Sequence, residues 1–193
     1  MCQALAAYVL GPGIEAFGSG PDGGREATFD GRAQYLSLTD PWDGFVVLQA
    51  KFKERLAGTG TDTTWLRRQV KTELQAWADP VRARVRHGRS PEYLIITTNV
   101  SLSGVPGTGG KARIGKLISE YADIIGLKAW AIWDAEQITA LLNAYPDVRR
   151  AFAALINPER GAGGDAGPAR HASGGQRRAD HAVHRYQAGA AWY

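Results

Sequence analysis

The chain has 193 residues, a 44% apolar share and a formal net charge of +4, enough for one domain with its own core. A single cysteine, Cys2, excludes an internal disulfide framework, and no apolar run approaches the ~20 residues of a membrane span. The positive balance, with a pI near 9.3, permits a polyanionic partner without demanding one.

In chain order, MCQALAAYVL lacks the basic n-region of a signal peptide and reads as a helix with Leu5, Ala6, Val9 and Leu10 on one side. It starts without a cap residue, as a helix cut short would. GIEAFG and EATFDG read as short strands joined by a glycine-rich loop, and GFVVLQAKF (residues 44–52) as a strand rich in β-branched and aromatic side chains. TDTTWLRRQVKTELQAWAD predicts a helix: Thr61 or Asp62 caps it, Leu66, Val70, Leu74 and Trp77 recur at helical spacing, and Pro80 stops it. EYLIITTNV predicts a buried strand, GGKARIGKLISEYADIIG a helix ending at Gly126, and KAWAIWD a further strand. AEQITALLNAY and DVRRAFAALI predict two closing helices, and Asp134 caps the first of them. The order α-β-β-β-α-β-α-β-α-α implies an α/β fold with a mixed sheet flanked by helices.

Residues 158–193 change character. They are built mostly from Gly, Ala, Arg and His with almost no Leu, Ile or Val, so they predict a disordered low-complexity tail after a folded domain at 1–157. The histidines His171, His181 and His184 fall there at a spacing that matches no zinc pattern.

The chemistry-bearing stretch is GFVVLQAKFK. Side chains alternate along a strand, so Val46, Leu48, Ala50 and Phe52 form an apolar face toward the core. Phe45, Val47, Gln49, Lys51 and Lys53 share the other face, which turns polar at Gln49. An amide and an ammonium about 7 Å apart at the end of such a strand predict a polar cleft. An amide, a lysine and a carboxylate are what phosphodiester hydrolysis needs. The carboxylate and amide oxygen hold Mg²⁺, which neutralises charge on the phosphate, while lysine orients water and stabilises developing charge. The glycine-rich GPDGGREATFDG supplies the carboxylate, Glu26, at the start of a neighbouring strand.

DGGRE followed some twenty residues later by WDGFVVLQAKF resembles the Mrr-type branch of the PD-(D/E)xK restriction-endonuclease superfamily, in which QxK often replaces (D/E)xK. The likeness covers roughly residues 4–156 and extends to nuclease domains at the N-terminus of bacterial antiphage STAND-type ATPases. The resemblance implies a restriction-endonuclease-like fold, Glu26 as the metal-binding acid, Asp22 at the earlier acidic position of the loop, and Gln49 and Lys51 as the QxK pair. It implies Mg²⁺ or Mn²⁺ as cofactor, DNA as substrate with little sequence preference, a homo-oligomer when active and a STAND-type sensor acting with the domain; the single cysteine, separately, suits a reducing cytoplasmic setting. The family usually carries a glutamate on the first helix; this chain has none there, and Glu15 lies after that helix. That departure keeps open an alternative, a catalytically inactive nucleic-acid-binding or scaffold domain on the same fold.

Other residues carry ordinary readings beside functional ones. Asp22 stabilises the glycine loop or binds metal, and Asp30 before Gly31 reads as turn chemistry. GVPGTGGK (104–111) imitates a phosphate loop but has Val105 where the first glycine belongs and Ala112 where Ser or Thr would bind Mg²⁺. Lys111 at that helix start can instead hold a DNA phosphate. Lys53, Arg67, Arg68 and Lys71 are further candidates for DNA contact, and Arg82, Arg84, Arg86 and Arg89 form a second basic run; a solvated face explains either run equally well. Trp65, Trp77, Trp130 and Trp133 read as core, while Trp42 reads as core or as a base-stacking platform.

Overall fold

The computed structural model describes residues 1–17, 25–33, 39–81 and 88–153. The expectations for Asp22, for Arg82, Arg84 and Arg86, and for the tail at 158–193 lie outside the described residues.

The described elements are α1 (Cys2–Leu10), β1 (Glu15–Ala16), β2 (Ala27–Ala33), β3 (Trp42–Lys51), α2 (Thr59–Ala78), β4 (Tyr93–Thr98), α3 (Gly110–Ile125), β5 (Ala129–Trp133), α4 (Ala135–Ala144) and α5 (Pro146–Ala151). They form a mixed α/β fold around one five-stranded sheet in the order β1-β2-β3-β4-β5. β1, β2 and β3 pair antiparallel, whereas β3, β4 and β5 are parallel, each parallel step crossing over through a helix.

The sheet is buried on both faces. Val46 and Leu48 of β3 join Ala27, Phe29, Ile95 and Trp133 under α1, α4 and α5. Phe45 and Val47 join Leu94 and Ile96 under α2 and α3, which contribute Leu66, Val70, Leu74, Ile114 and Ile118. The expected division of β3 into a core face and an open polar face is therefore corrected: strands joined by helical crossovers are covered on both sides. Phe52 does not belong to the core face. β3 ends at Lys51, and Phe52 is 70% exposed.

Two local expectations are also corrected. Asp30 is not turn chemistry: it sits in β2 opposite Phe45 and pairs with Arg89. α2 begins at Thr59 rather than being capped by Thr61 or Asp62. Asp62 instead lies inside the first turns and accepts from the Ala57 and Gly58 amides behind it, at 3.0 Å each. Trp42 opens β3, is buried and stacks on Tyr93 at 4.7 Å, so it is core. Asp134 does cap α4, accepting from the Gln137 amide at 3.1 Å.

A clasp ties the N-terminal edge of the parallel strands. Glu92 accepts from the Phe45 amide (3.3 Å), from Arg89 Nη2 (2.5 Å) and from Lys128 Nζ (2.7 Å), while its own amide donates to Phe45 and its carbonyl accepts from the Lys128 amide. Gly44 has φ 142°, and a β-carbon there would lie 2.6 Å from Glu92 Oε2, so this close approach requires glycine. Hydrogen bonds from Lys128, then Arg89, then the Phe45 amide pull the Glu92 carboxyl down to about 2. A carboxyl whose pKa is lower in the folded than in the unfolded chain stabilises above its unfolded value and loses that contribution as pH falls toward the folded one. Urea unfolding of the wild type should therefore lose stability between about pH 4.5 and about pH 2. Glu92→Gln should be less stable at neutral pH and show a flatter acid limb; equal acid slopes in the two proteins would refute the role given to the clasp.

Candidate active site

Helix α2 turns two acids inward along with its apolar residues. Leu66, Val70, Leu74 and Trp77 are fully or almost fully buried against the sheet. Glu73 stands three residues after Val70, and Asp62 four before Leu66, so both fall at the margin of the same stripe. Each meets a lysine at the end of β3. Lys51 Nζ donates to Glu73 Oε1 at 2.6 Å, with both side chains about 15% exposed. Lys53 pairs with Asp62 and lies 5.9 Å from the Trp65 ring centroid. The Lys53 hydrogen bond, working against burial, holds the Asp62 carboxyl below its ordinary value.

Gln49 completes the first cluster. It is fully buried, and its Nε2 donates to Glu73 Oε2 at 3.0 Å. One carboxylate thus binds both members of the QxK pair. The strand end that carries them is fixed from β4. Thr98 Oγ1 donates to the Lys51 carbonyl at 2.8 Å, the Lys53 amide donates to Asn99 Oδ1 at 2.9 Å, and Asn99 Nδ2 returns a bond to the Lys53 carbonyl at 2.9 Å. Asn99 and Thr98 add side-chain bonds where β3 runs out at Lys51, so residues 52–53 stay tied to the end of β4 beyond the last main-chain pairing.

Glu26 immediately precedes β2, and its main chain is anchored on three sides. Its amide donates to the Leu48 carbonyl at 3.0 Å, and its carbonyl accepts from the Phe17 amide and from Gln3 Nε2 of α1, each at 2.9 Å. Alternation carried back from Ala27, which packs on the α1 side, assigns Glu26 to the sheet face of Gln49. Among the described residues its carboxylate makes no ion pair or hydrogen bond, so the structure brings its backbone beside β3 without bringing the carboxylate into contact with Gln49 or Lys51.

The expected DNA-contacting residues separate into two kinds. Lys53 is committed to Asp62, and Lys111 Nζ reaches the fully buried Asp134 Oδ2 at 3.0 Å. The loop before Lys111 folds on itself: the Lys111 amide donates to the Ser103 carbonyl and the Gly109 amide to the Val105 carbonyl. Arg89 is taken by Asp30 and Glu92. Arg67, Arg68 and Lys71 instead line an open groove between α2 and α3. At 3.6 residues per turn, Lys71 projects roughly 160° around the helix axis from Glu73 and Arg67 about 120°, so the groove and the Gln49–Lys51–Glu73 cluster occupy opposite flanks of α2.

Glu73 and Asp62 are the residues that sequence reasoning missed as partners of the two lysines. Their signal was present as acids at helical spacing from Leu66 and Val70. Among the described residues no group of three or more His, Cys, Asp or Glu side chains is placed to hold a metal ion. The chemistry of the cluster is that of one carboxylate bridging a buried amide and a partly buried ammonium, a set of hydrogen-bonding groups with fixed orientation.

Comparison of the chain with protein-family models, with characterised proteins and with solved structures finds no match. No described helix is long and apolar enough to cross a membrane.

Removing Glu73 strips this carboxylate from both Gln49 and Lys51. Glu73→Ala should lose about 1–3 kcal/mol in urea denaturation. A double-mutant cycle with Lys51→Ala should return a coupling above about 0.5 kcal/mol. A coupling near zero would make the pair incidental.

Proposed function

We propose that this chain is a restriction-endonuclease-like domain of the Mrr type that hydrolyses DNA phosphodiester bonds with low sequence specificity. The observation that carries the reading is the arrangement of Gln49 and Lys51 at the end of β3, both held by the Glu73 carboxylate. The order of elements, with an antiparallel β1-β2-β3 unit followed by parallel β4 and β5, supports the same reading. Glu73 stands in for the acid that α1 lacks: it reaches the QxK pair from α2 instead.

The donor set is made of hard oxygens, from the carboxylates of Glu26 and Glu73 and the amide of Gln49. Mg²⁺ or Mn²⁺ is ordinarily bound through one or two such carboxylates together with waters and substrate phosphates, so the chemistry of these donors suits that ion. When bound, it would supply charge neutralisation at the phosphate and a more acidic water. The chain's own groups do the rest. Lys51, oriented by Glu73, presents its ammonium to the scissile phosphate and offsets the charge that builds on its oxygens. Gln49, fixed through its nitrogen, keeps its amide oxygen in one orientation. Burial of the strand end limits water around these groups and strengthens their electrostatic effect.

In this reading the domain is the effector of a defence system, acts as a homo-oligomer when both strands are cut, and is governed by a STAND-type sensor. A second reading, an inactive nucleic-acid-binding or scaffold domain, draws on the same ion pair: Glu73 already neutralises Lys51 and engages Gln49.

Purified protein with supercoiled plasmid and Mg²⁺ or Mn²⁺ separates the two. The enzyme reading expects conversion to open-circular DNA, reduced at least about a hundredfold in Lys51→Ala, Glu26→Ala and Glu73→Ala. Binding without nicking, unchanged in those variants, sinks it and leaves the scaffold.

A further inference from the structure

The groove between α2 and α3 has an electrostatic character that the cluster at Gln49 does not explain. Its walls are Thr63, Thr64, Arg67, Arg68 and Lys71 from α2 and Arg113, Lys116, Leu117 and Glu120 from α3, around a volume of about 530 Å³. Two arginines and a lysine on one wall face an arginine and a lysine on the other, with Glu120 as the lone acid.

These cations are treated differently from six others in the protein. Lys51, Lys53, Arg89, Lys111, Lys128 and Arg150 each pair with a carboxylate. Arg67, Arg68, Lys71, Arg113 and Lys116 are exposed and make no ion pair among the described residues. Like charges set along one groove repel, and nothing described in the groove offsets that repulsion except Glu120.

Helix geometry adds to the field. Both crossovers are parallel, and the starts of the two helices meet: a β-carbon at Gly110 would lie 3.1 Å from Thr63 Oγ1. The positive ends of two macrodipoles therefore flank the same end of the groove. The row Thr64, Arg67 or Arg68, Lys71 follows one helix face at three- and four-residue steps, and Arg113, Lys116 and Glu120 do the same on α3. The α2 row is about 10 Å long at 1.5 Å per residue, long enough to meet more than one phosphate of a strand.

We infer that the α2–α3 groove docks the phosphodiester backbone of a nucleic acid, at a site distinct from the Gln49–Lys51–Glu73 cluster. Charges repeated in line, arginine forks that match phosphate oxygens and two helix N-termini together fit a chain of phosphates. The groove is open, so a strand can run through it. With Glu73 on the opposite flank of α2, nucleic acid in the groove is gripped away from the cluster. The inference holds whether or not the protein cuts DNA, because it concerns binding alone.

The test is fluorescence anisotropy of a labelled oligonucleotide, single-stranded and duplex, with EDTA in place of divalent metal and across a salt series. Arg67→Ala/Arg113→Ala/Lys116→Ala should weaken binding at least about tenfold and lower the log–log salt slope by about 2–3. Arg32→Ala/Arg149→Ala/Arg150→Ala, an equal charge change at exposed sites outside the groove, should bind within about threefold of wild type. A glutamine series at the same three groove positions gives the same reading should the alanine protein fail to fold. Groove variants that bind like wild type, a control that loses as much, or wild-type protein that does not bind overturns the inference. So does displacement of the oligonucleotide as effectively by tripolyphosphate or polyglutamate, which would assign the groove to a small polyphosphate or an acidic protein. Binding is read without metal, so a failure to nick plasmid leaves this result untouched.

Discussion

Two lysine–carboxylate pairs join the end of β3 to α2, and much of the molecule's organisation depends on them. Lys51 with Glu73 and Lys53 with Asp62 fix both the height and the rotation of a 20-residue helix over the sheet. Asp62 and Glu73 lie close to three full turns apart, so they present to the same side of α2. Lys51 and Lys53 share one face of the extended segment. Neither pair could form if the helix rolled by one residue, because each acid would move about 100° from its lysine. Apolar contacts alone would tolerate a neighbouring register more readily, since Leu66, Val70 and Leu74 would find other apolar neighbours.

That constraint explains why polar groups can lie beneath α2 at all. Gln49 has no exposed surface, and an amide buried without partners would cost of order 1–3 kcal/mol. Glu73 supplies a charged acceptor to it and to Lys51 at once. The chain just beyond the strand would otherwise fray, since main-chain pairing stops at Lys51 opposite Thr98. Thr98 and Asn99 prevent this by bonding the Lys51 and Lys53 backbone. The result is a largely buried polar cluster at the carboxyl end of parallel strands.

The strand signal was legible in the sequence because period two is strict. Gln49 and Lys51 were bound to share a face once β3 was recognised, and the structure keeps them together. What that face meets was less legible. The alternation set Phe45 and Val47 on a face that turns into a polar cleft, whereas the crossover through α2 covers that face. Glu73 escaped notice because a helix reading gathers apolar positions and leaves the acids to solvent. Its interval from Val70 carried the information, but long-range pairing with Lys51 is needed to give it meaning. Asp30 misled for a related reason. Asp before Gly is ordinary turn chemistry, yet here the residue stays in a strand because β2 continues to Ala33 opposite β3. Glu26 was legible as the acid opening the strand that neighbours β3, whereas the direction of its carboxylate depends on torsions that local sequence does not determine.

The basic run on α2 shows how one helix can serve two electrostatic ends. Read linearly, Arg67, Arg68 and Lys71 surround the same segment as Glu73 and look like its accessories. Read on the helix, they belong to the flank turned toward α3, where Arg113 and Lys116 join them. The inward acids are consumed by Lys51 and Lys53, so they do little to quiet the outer cations. Internal pairing thus leaves the positive field concentrated on the α2–α3 side rather than cancelled across the helix. A modest overall charge of +4 therefore understates the local field, because the groove gathers five cations against one acid.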